Sequence, residues 1–462
     1  MAILAAAAVP HPPLIIPEVG RGEEKKIQST IDAYHTIAKR VKELRPDTLI
    51  VTSPHSVMYA DYFHISPGVG AFGNFADFRA PQVEIGVSYD TEFVASLAER
   101  CEWQGIPAGT LGERTALLDH ATMIPMYFMQ RHALNCSIVR IGLSGLPARD
   151  HYKLGQVIAK VAEKLARRVV LIASGDLSHK LLEEGPYGFA KEGPIFDRRT
   201  VEAFKSADFL SLLQMDANVA EKAAECGLRS FWIMAGALDC REVESELLSY
   251  EGPFGVGYGT AWFLVKGSSP GRNFGDQYRQ RQKAFLVARK AREDAFVRLA
   301  RLSLETYVRD HRQISRFPED SPRELISMQA GAFVSIKKDG QLRGCIGTIM
   351  PTRPSLAEEI VQNAISAGCN DPRFPSVEES ELEDLVYSVD VLSSPEKILS
   401  AEELDPKRYG VIVESKGRRG LLLPDLAGVD TVEQQIEIAR KKGNIGPREE
   451  VELWRFEVAR HT

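Results

Sequence analysis

The six cysteines, at positions 101, 136, 226, 240, 345 and 369, form no Cys-x-x-Cys pair. That removes the spacing of a zinc ribbon, an iron–sulfur motif or a disulfide scaffold, and it fits a reducing cytoplasm. A GxxxxGK[ST] phosphate loop is missing as well, and no dinucleotide fingerprint is assigned. An excess of positive charge is also lacking: 57 Lys and Arg against 63 Asp and Glu leave a net charge of -6. With no basic footprint, nucleic acid is not an expected partner. No apolar run is long enough to span a bilayer. The apolar amino terminus breaks at Pro10 and has no basic leader, so it reads as a first strand and not as a signal peptide, and no membrane partner is expected. Histidine is scarce toward the carboxyl end, where only His311 and His461 of the 10 histidines follow residue 266. Any metal chemistry therefore belongs to the first part of the chain.

What is present is a repeated arrangement of short apolar runs ending in turn formers. Thr48-Leu-Ile-Val-Thr-Ser-Pro-His55 is the clearest. Ala2–Val9 ends in Pro10-His11-Pro-Pro, Val169–Ala173 in Ser-Gly-Asp176-Leu-Ser-His179, and Ser137–Ile141 in Gly-Leu-Ser-Gly. Runs of Val, Ile, Leu and Ala this short read as strands buried on both faces of a parallel sheet. Such sheets bind ligands beyond the carboxyl ends of their strands, so His11, His55, Asp176 and His179 are expected in one crevice. Imidazoles meeting at a strand edge suit a metal.

At 462 residues the chain exceeds one ordinary core. Residues 1–265 are read as a metal-binding domain of the α/β class, a mostly parallel sheet flanked by helices. The turn-rich stretch 266–276 is read as a linker, and 277–462 as an α+β domain.

In the first domain, Lys25–Leu44 has helical spacing and makes the first crossover. Residues 56–82 read as a long loop rich in aromatics, with Tyr59, Tyr62, Phe63, Phe72, Phe75 and Phe78. Beside a strand-end site such a loop is either a substrate lid or simply packed down by its own rings. A helix is expected to start near Asp119, whose carboxylate suits the amino-terminal cap, with His120 in its first turn. A lone histidine is more often structural, but one placed there can reach a ligand. His35, His64, His132 and His151 lack strand-end context and are read as surface or core residues. Further on, Glu225-Cys226-Gly interrupts the helices around Ala217–Glu225 and Ser230–Leu238. Cys226 and Glu225 are each candidates for a third metal ligand, weighed against an inert buried thiol.

In the second domain a long helix is expected over Tyr278–Arg309, with Ala284, Ala288, Ala291, Ala295, Leu299 and Leu302 on its inner face. Asp339-Gly340 marks a two-residue hairpin between Ala332–Lys338 and Gln341–Thr348. The period of two puts Arg343 and Cys345 on one face of the second strand. A guanidinium beside a thiol makes it a better nucleophile, although the glycines around Cys345 also suit a purely structural strand.

Assembled, these motifs resemble a known pair of families. Pro10-His11-Pro-Pro, Ser53-Pro-His55-Ser, Leu118-Asp-His120, Ser174-Gly-Asp176-Leu-Ser-His179 and Glu225-Cys226-Gly, in that order, are similar to the Memo and LigB-like group of the class III extradiol dioxygenase superfamily, over roughly residues 1–265. Residues from about 275 onward resemble an AMMECR-type domain, through Leu342-Arg-Gly-Cys345-Ile-Gly-Thr, Asp371-Pro-Arg-Phe-Pro and Gly420-Leu-Leu-Leu-Pro. The first resemblance implies Fe(2+) held by two histidines and a third group, here His11 and His55 with Cys226 or Glu225. It also implies an acid/base histidine at His179 and a second pocket histidine at His120, and Asp176 joins these two as a candidate for a catalytic role. Cu or Zn would suit the same donors.

The expectation that follows is an iron-dependent oxidoreductase of the extradiol dioxygenase type, acting on a catechol-like or hydroxylated aromatic small molecule. The sequence departs from the family at the third ligand, where a thiol precedes the glycine. That leaves two other readings: a Memo-like iron- or copper-binding or peptide-binding protein without ring cleavage, and a zinc hydrolase. Cys345 and Arg343 mark a second-domain site in a module for a substrate, a protein partner or a second copy of the chain.

Overall fold

The computed structural model describes residues 2–462 except 115, 116, 135, 315, 319, 320 and 427. The chain divides into two compact units, Met1–Gln280 and Arg281–Thr462, and the division falls inside the helix Phe274–Lys290.

The first unit is built on a six-stranded sheet: β1 (Ile3–Val9), β2 (Thr48–Ser53), β3 (Ser137–Gly142), β4 (Val169–Ser174), β5 (Arg241–Glu251) and β6 (Tyr258–Ser268). Their order across the sheet is β3-β2-β4-β1-β6-β5, with β3, β2, β4 and β1 parallel and β6 and β5 added antiparallel beside β1. The sheet is therefore α/β and mostly parallel, as expected. Every residue of β2 and β4 is buried. Period two divides them between two cores: Ala6, Ala8, Ile50, Leu171 and Ala173 pack on one face, and Ala5, Ala7, Leu49, Val51, Val170 and Ile172 on the other. Helices Gln28–Leu44 and His120–Arg131 cover one face, and Ala148–Lys164 and Leu228–Ala237 the other.

β5 has no counterpart in the sequence reading. Its alternation is visible in hindsight, since Glu242, Glu244 and Glu246 are exposed while the residues between them are partly covered. Part of the stretch read as a loop at 56–82 forms strands, Phe63–His64, Gly70–Phe75 and the start of Ala80–Ser88, the last two pairing as an antiparallel ribbon. Gly68-Val-Gly-Ala-Phe-Gly73 has the literal spacing of a dinucleotide fingerprint, but it leads into the ribbon, with only the single 3-10 turn Ala76–Phe78 before the return strand in place of an α-helix to meet a pyrophosphate.

In the second unit Ala332–Lys338, Gln341–Gly347, Leu385–Leu392 and Val458–His461 form one antiparallel sheet, over which helices Ala295–Asp310 and Leu356–Cys369 close the core. Asp339 and Gly340 both take positive φ in the hairpin turn, the conformation that selects Asp-Gly. The single helix expected over Tyr278–Arg309 is two. Asp294 ends the first by capping the second, its carboxylate accepting from the amides of Phe296 and Val297 at 3.0 Å each. Ala284, Ala288 and Ala291 are consequently exposed, whereas Leu299 is in the core. Among the described residues no helix is long and apolar enough to cross a membrane.

Candidate metal centre

The carboxyl ends of β1, β2 and β4 deliver their side chains to one crevice. β1 runs into His11, whose amide donates to Asp176 Oδ1 at 2.7 Å, tying the end of β1 to the turn that follows β4. The His11 ring is buried, with Nδ1 3.0 Å from Ser174 Oγ. With Nδ1 as the donor there, Nε2 presents its lone pair toward Cys226 Sγ, 3.6 Å away.

Two glycines explain how the cysteine reaches this position. A Cβ on Gly175 would lie 2.1 Å from Gly227 Cα, so Ser174-Gly-Asp176 and Cys226-Gly227 can pass this closely only without side chains there. The contact brings the Asp176 amide to 3.2 Å from Cys226 Sγ. Glu225 does not share the position. Its Oε2 accepts from the Leu228 amide at 2.7 Å, at the start of helix Leu228–Ala237, and it is not in either donor group described below.

His55 follows β2 at the exposed mouth of the crevice, and its amide donates to Ser53 Oγ at 3.2 Å. Asp119 caps helix His120–Arg131 as expected, with Oδ1 accepting from the Thr122 amide at 2.9 Å. That places the His120 ring 4.3 Å from the His55 ring in a stack and 5.5 Å from the His11 ring, while the His11 and His55 rings meet edge to face at 4.9 Å. His179 is held from behind: the Ser178 amide donates to Asp197 Oδ1 at 2.7 Å and the His179 amide to the Ala223 carbonyl at 3.0 Å. Its ring stacks on Tyr187 at 5.1 Å.

These contacts form two overlapping donor groups. His11, His55 and Cys226 present ligand atoms all within 4.8 Å of one another, and so do Asp176, His179 and Cys226. Donors around one ion of zinc size, each at roughly 2.0–2.3 Å from it, lie about 3–4 Å apart, so either group closes on a metal with small side-chain movement. The electrostatics suit one. Burial, reinforced by His55, His120 and His179, holds the His11 imidazole well below its ordinary pKa. Burial and the neighbouring His55 bring His120 down to about 4, and burial, with His55 again, does the same to His179. Neutral imidazole is the ligand form. Burial pushes Asp176 up to about 7 against the His11 amide that lowers it, and raises the Cys226 thiol well above its usual range. A cation would reverse both, because both ligate as anions.

Of the aromatic residues expected near the site, Phe78 reaches it, 5.4 Å from the His120 ring. Phe63 and Phe75 are core residues, and the hydroxyls of Tyr59 and Tyr62 accept from the amides of Glu113 and Leu111. Tyr187 and Asp197 escaped the sequence reading, which named Ser174 only as part of a motif and gave it no role. Ser174 carried a signal, as the first residue of Ser-Gly-Asp. His35 and His132 meet each other elsewhere, Nδ1 to Nε2 at 3.0 Å, and His64 and His151 are buried.

In the second unit the Arg343 side chain is held by an acidic partner. Its guanidinium forks onto Glu381, with Nη2–Oε2 at 2.9 Å and Nε–Oε1 at 3.1 Å. Cys345 Sγ accepts from Ser335 Oγ at 3.2 Å, and the Cys345 amide donates to Asp371, which also grips Arg373. Asp371-Pro-Arg-Phe-Pro thus closes on Leu-Arg-Gly-Cys345.

Two family models match the chain. Residues 5–261 match the LigB family, described as the catalytic LigB subunit of aromatic ring-opening dioxygenase, and residues 297–461 match AMMECR1. A protein of Clostridium acetobutylicum is 40% identical over 460 residues, 98% of each chain. A Thermotoga maritima protein is 52% identical over 172 residues, 37% of this chain and 98% of its own. A crystal structure of an uncharacterised Pyrococcus horikoshii protein aligns at 32% identity and a TM-score of 0.34, over 36% of this chain and 88% of its own. The chain belongs to the LigB family of aromatic ring-opening dioxygenase subunits, with an AMMECR1 domain following the LigB domain.

Proposed function

We propose that the first unit is a non-haem iron(II) enzyme of the extradiol dioxygenase type, acting on a catechol-like or hydroxylated aromatic small molecule. The observation that carries this reading is the meeting of His11, His55 and Cys226 with neutral His120 and His179 at the open end of the sheet. His11, His55 and Cys226 would hold the ion. When bound, iron(II) supplies Lewis-acid and redox chemistry that no side chain offers. The protein's own part is positioning and proton transfer. Phe78 beside His120 and Tyr187 on His179 offer flat apolar surfaces for a ring. His179 Nδ1 or Nε2, unprotonated, accepts a phenolic proton, and His120 holds the neighbouring hydroxyl.

The third donor favours a second reading. A thiolate is softer and more oxidisable than a carboxylate, which suits a protein that binds iron or copper without turnover. Oxygen uptake by the iron-loaded protein over a panel of catechols separates the two. The enzyme reading expects uptake that falls about 100-fold or more in His179→Ala; equal rates in both proteins overturn His179 as the base, and tight metal binding with no uptake supports the carrier. For the second unit we propose a recognition module for a substrate or protein partner, tested at Cys345 by its rate of alkylation with iodoacetamide. Labelling no faster than free cysteine would leave Cys345 a structural residue.

A further inference from the structure

We propose that the crevice has a second metal position, formed by Asp176, His179 and Cys226, so that two ions are held at once with the Cys226 thiolate between them. This rests on the metal-binding reading above, which uses only the first donor group.

Three observations carry it. The donors form two groups that share Cys226, each compact to 4.8 Å, and although Asp176 Oδ2 also lies 4.0 Å from His11 Nε2, neither group holds both His55 and His179. A single ion takes its ligands at roughly 2.0–2.3 Å and gathers donors about 3–4 Å apart, so an ion held by His11, His55 and Cys226 leaves His179 without one. Paired ions in protein sites sit about 3.5–4 Å apart, a spacing that one sulfur between them can bridge.

Asp176 is the second observation. Its residue is only 7% exposed, and among the described residues no lysine or arginine pairs with it. Oδ1 accepts the His11 amide, while Oδ2 faces His11 Nε2 at 4.0 Å. A buried carboxylate without a cation is costly, and a metal ion at Oδ2 supplies the missing charge.

The third is the orientation of Cys226. Its sulfur lies 3.6 Å from His11 Nε2 and 3.2 Å from the Asp176 amide, between the residues that lead into the two groups. Imidazole, thiolate and carboxylate together suit a borderline cation such as zinc, iron(II) or cobalt(II).

The consequence is functional. An ion in the second position occupies the lone pair of His179 and the carboxylate of Asp176, so it silences the proton acceptor while leaving the first position filled. The protein would then be active with one ion and act as a metal store with two.

Anaerobic titration of the full chain with cobalt(II) tests this, following thiolate-to-cobalt absorption and the metal retained after gel filtration. Two equivalents are expected for the unaltered protein and one for His179→Ala or Asp176→Asn, with thiolate absorption kept in both. Cys226→Ser should remove that absorption at both steps. One equivalent in the unaltered protein, unchanged in His179→Ala, overturns the second position and leaves the first standing. No retained cobalt at all overturns the metal-binding reading itself. His179 is partly exposed, so its alanine variant guards against misfolding of the buried Asp176→Asn, and the stoichiometry of the unaltered protein decides the matter without either.

Discussion

Ser53 Oγ donates to Asp119 Oδ1 at 2.6 Å, and through this bond one carboxylate governs two imidazoles on different elements. Ser53 also accepts the His55 amide, and Asp119 caps the helix whose first residue is His120. The Asp119 carboxylate in turn lies 3.8 Å from the guanidinium of Arg140, which is buried and bonded to Ser66 Oγ and the Leu117 carbonyl. The stack of His55 on His120 therefore rests on a polar network beneath the sheet edge.

Asp119→Ala should cost about 1 kcal/mol through the lost cap. A further 1–3 kcal/mol, roughly, follows from leaving Arg140 with neutral partners only. Because Asp119 orients His55 and His120 without being a ligand itself, metal affinity should fall about 10–100-fold. Thermal melts and metal titrations check the two effects separately, and an unchanged affinity would mean that His55 is placed by other contacts.

The glycine contact behind Cys226 makes a sharper demand. Gly175→Ala puts a methyl 2.1 Å from backbone, where nothing flexible can yield. We expect about 1–3 kcal/mol of destabilisation from the forced shift. Lost metal binding should accompany it, because the Asp176 and Cys226 segments move apart. A variant with wild-type stability and metal content would show that the segments are not held by this contact.

Glu225 and Cys226 are adjacent in sequence but separate in their contacts. Glu225→Gln keeps an acceptor for the Leu228 amide and should leave metal content unchanged, whereas Cys226→Ala should weaken metal binding at least tenfold, about 1.4 kcal/mol. Equilibrium dialysis of the two variants decides it, and the reverse order of effects would restore Glu225 as the ligand.

Acid should loosen the second unit through Glu381. Partial burial raises its carboxyl, but Arg343 and Lys338 outweigh that and bring it down to about 2, against an ordinary 4.5. Between these values the unfolded chain binds more protons than the folded one, so stability rises with pH there. The contribution is complete above about 4.5 and is lost as pH falls toward 2. In Glu381→Gln the slope should flatten. Hydrogen exchange of Ala332–Lys338 and Gln341–Gly347 from pH 5 downward measures it, and identical slopes would remove Glu381 from the account.

The parallel strands were legible because each is a short, mainly apolar run closed by Pro, Gly or Ser, a pattern set by burial on both faces, with Arg140 of β3 the charged exception. His11, His55 and His179 were legible for the same reason, since the strand ends are visible in the sequence. β5 was not, because one face of an edge strand carries glutamates and its composition resembles a loop. The helix break at Asp294 was also hidden, since the alanine period continues across it and a single cap outweighs it.

By itself the sequence determined which side chains end the strands, because alternation and turn chemistry are local properties of the chain. Only the tertiary structure placed Cys226 among the histidines and Glu225 away from them, and set the Arg343 guanidinium on Glu381. Both depend on where distant segments pass each other: Gly175 against Gly227 in the first unit, and Arg343 against Glu381 in the second. Spacing along a chain holds no record of such contacts, since they arise from close packing between parts that are far apart in sequence.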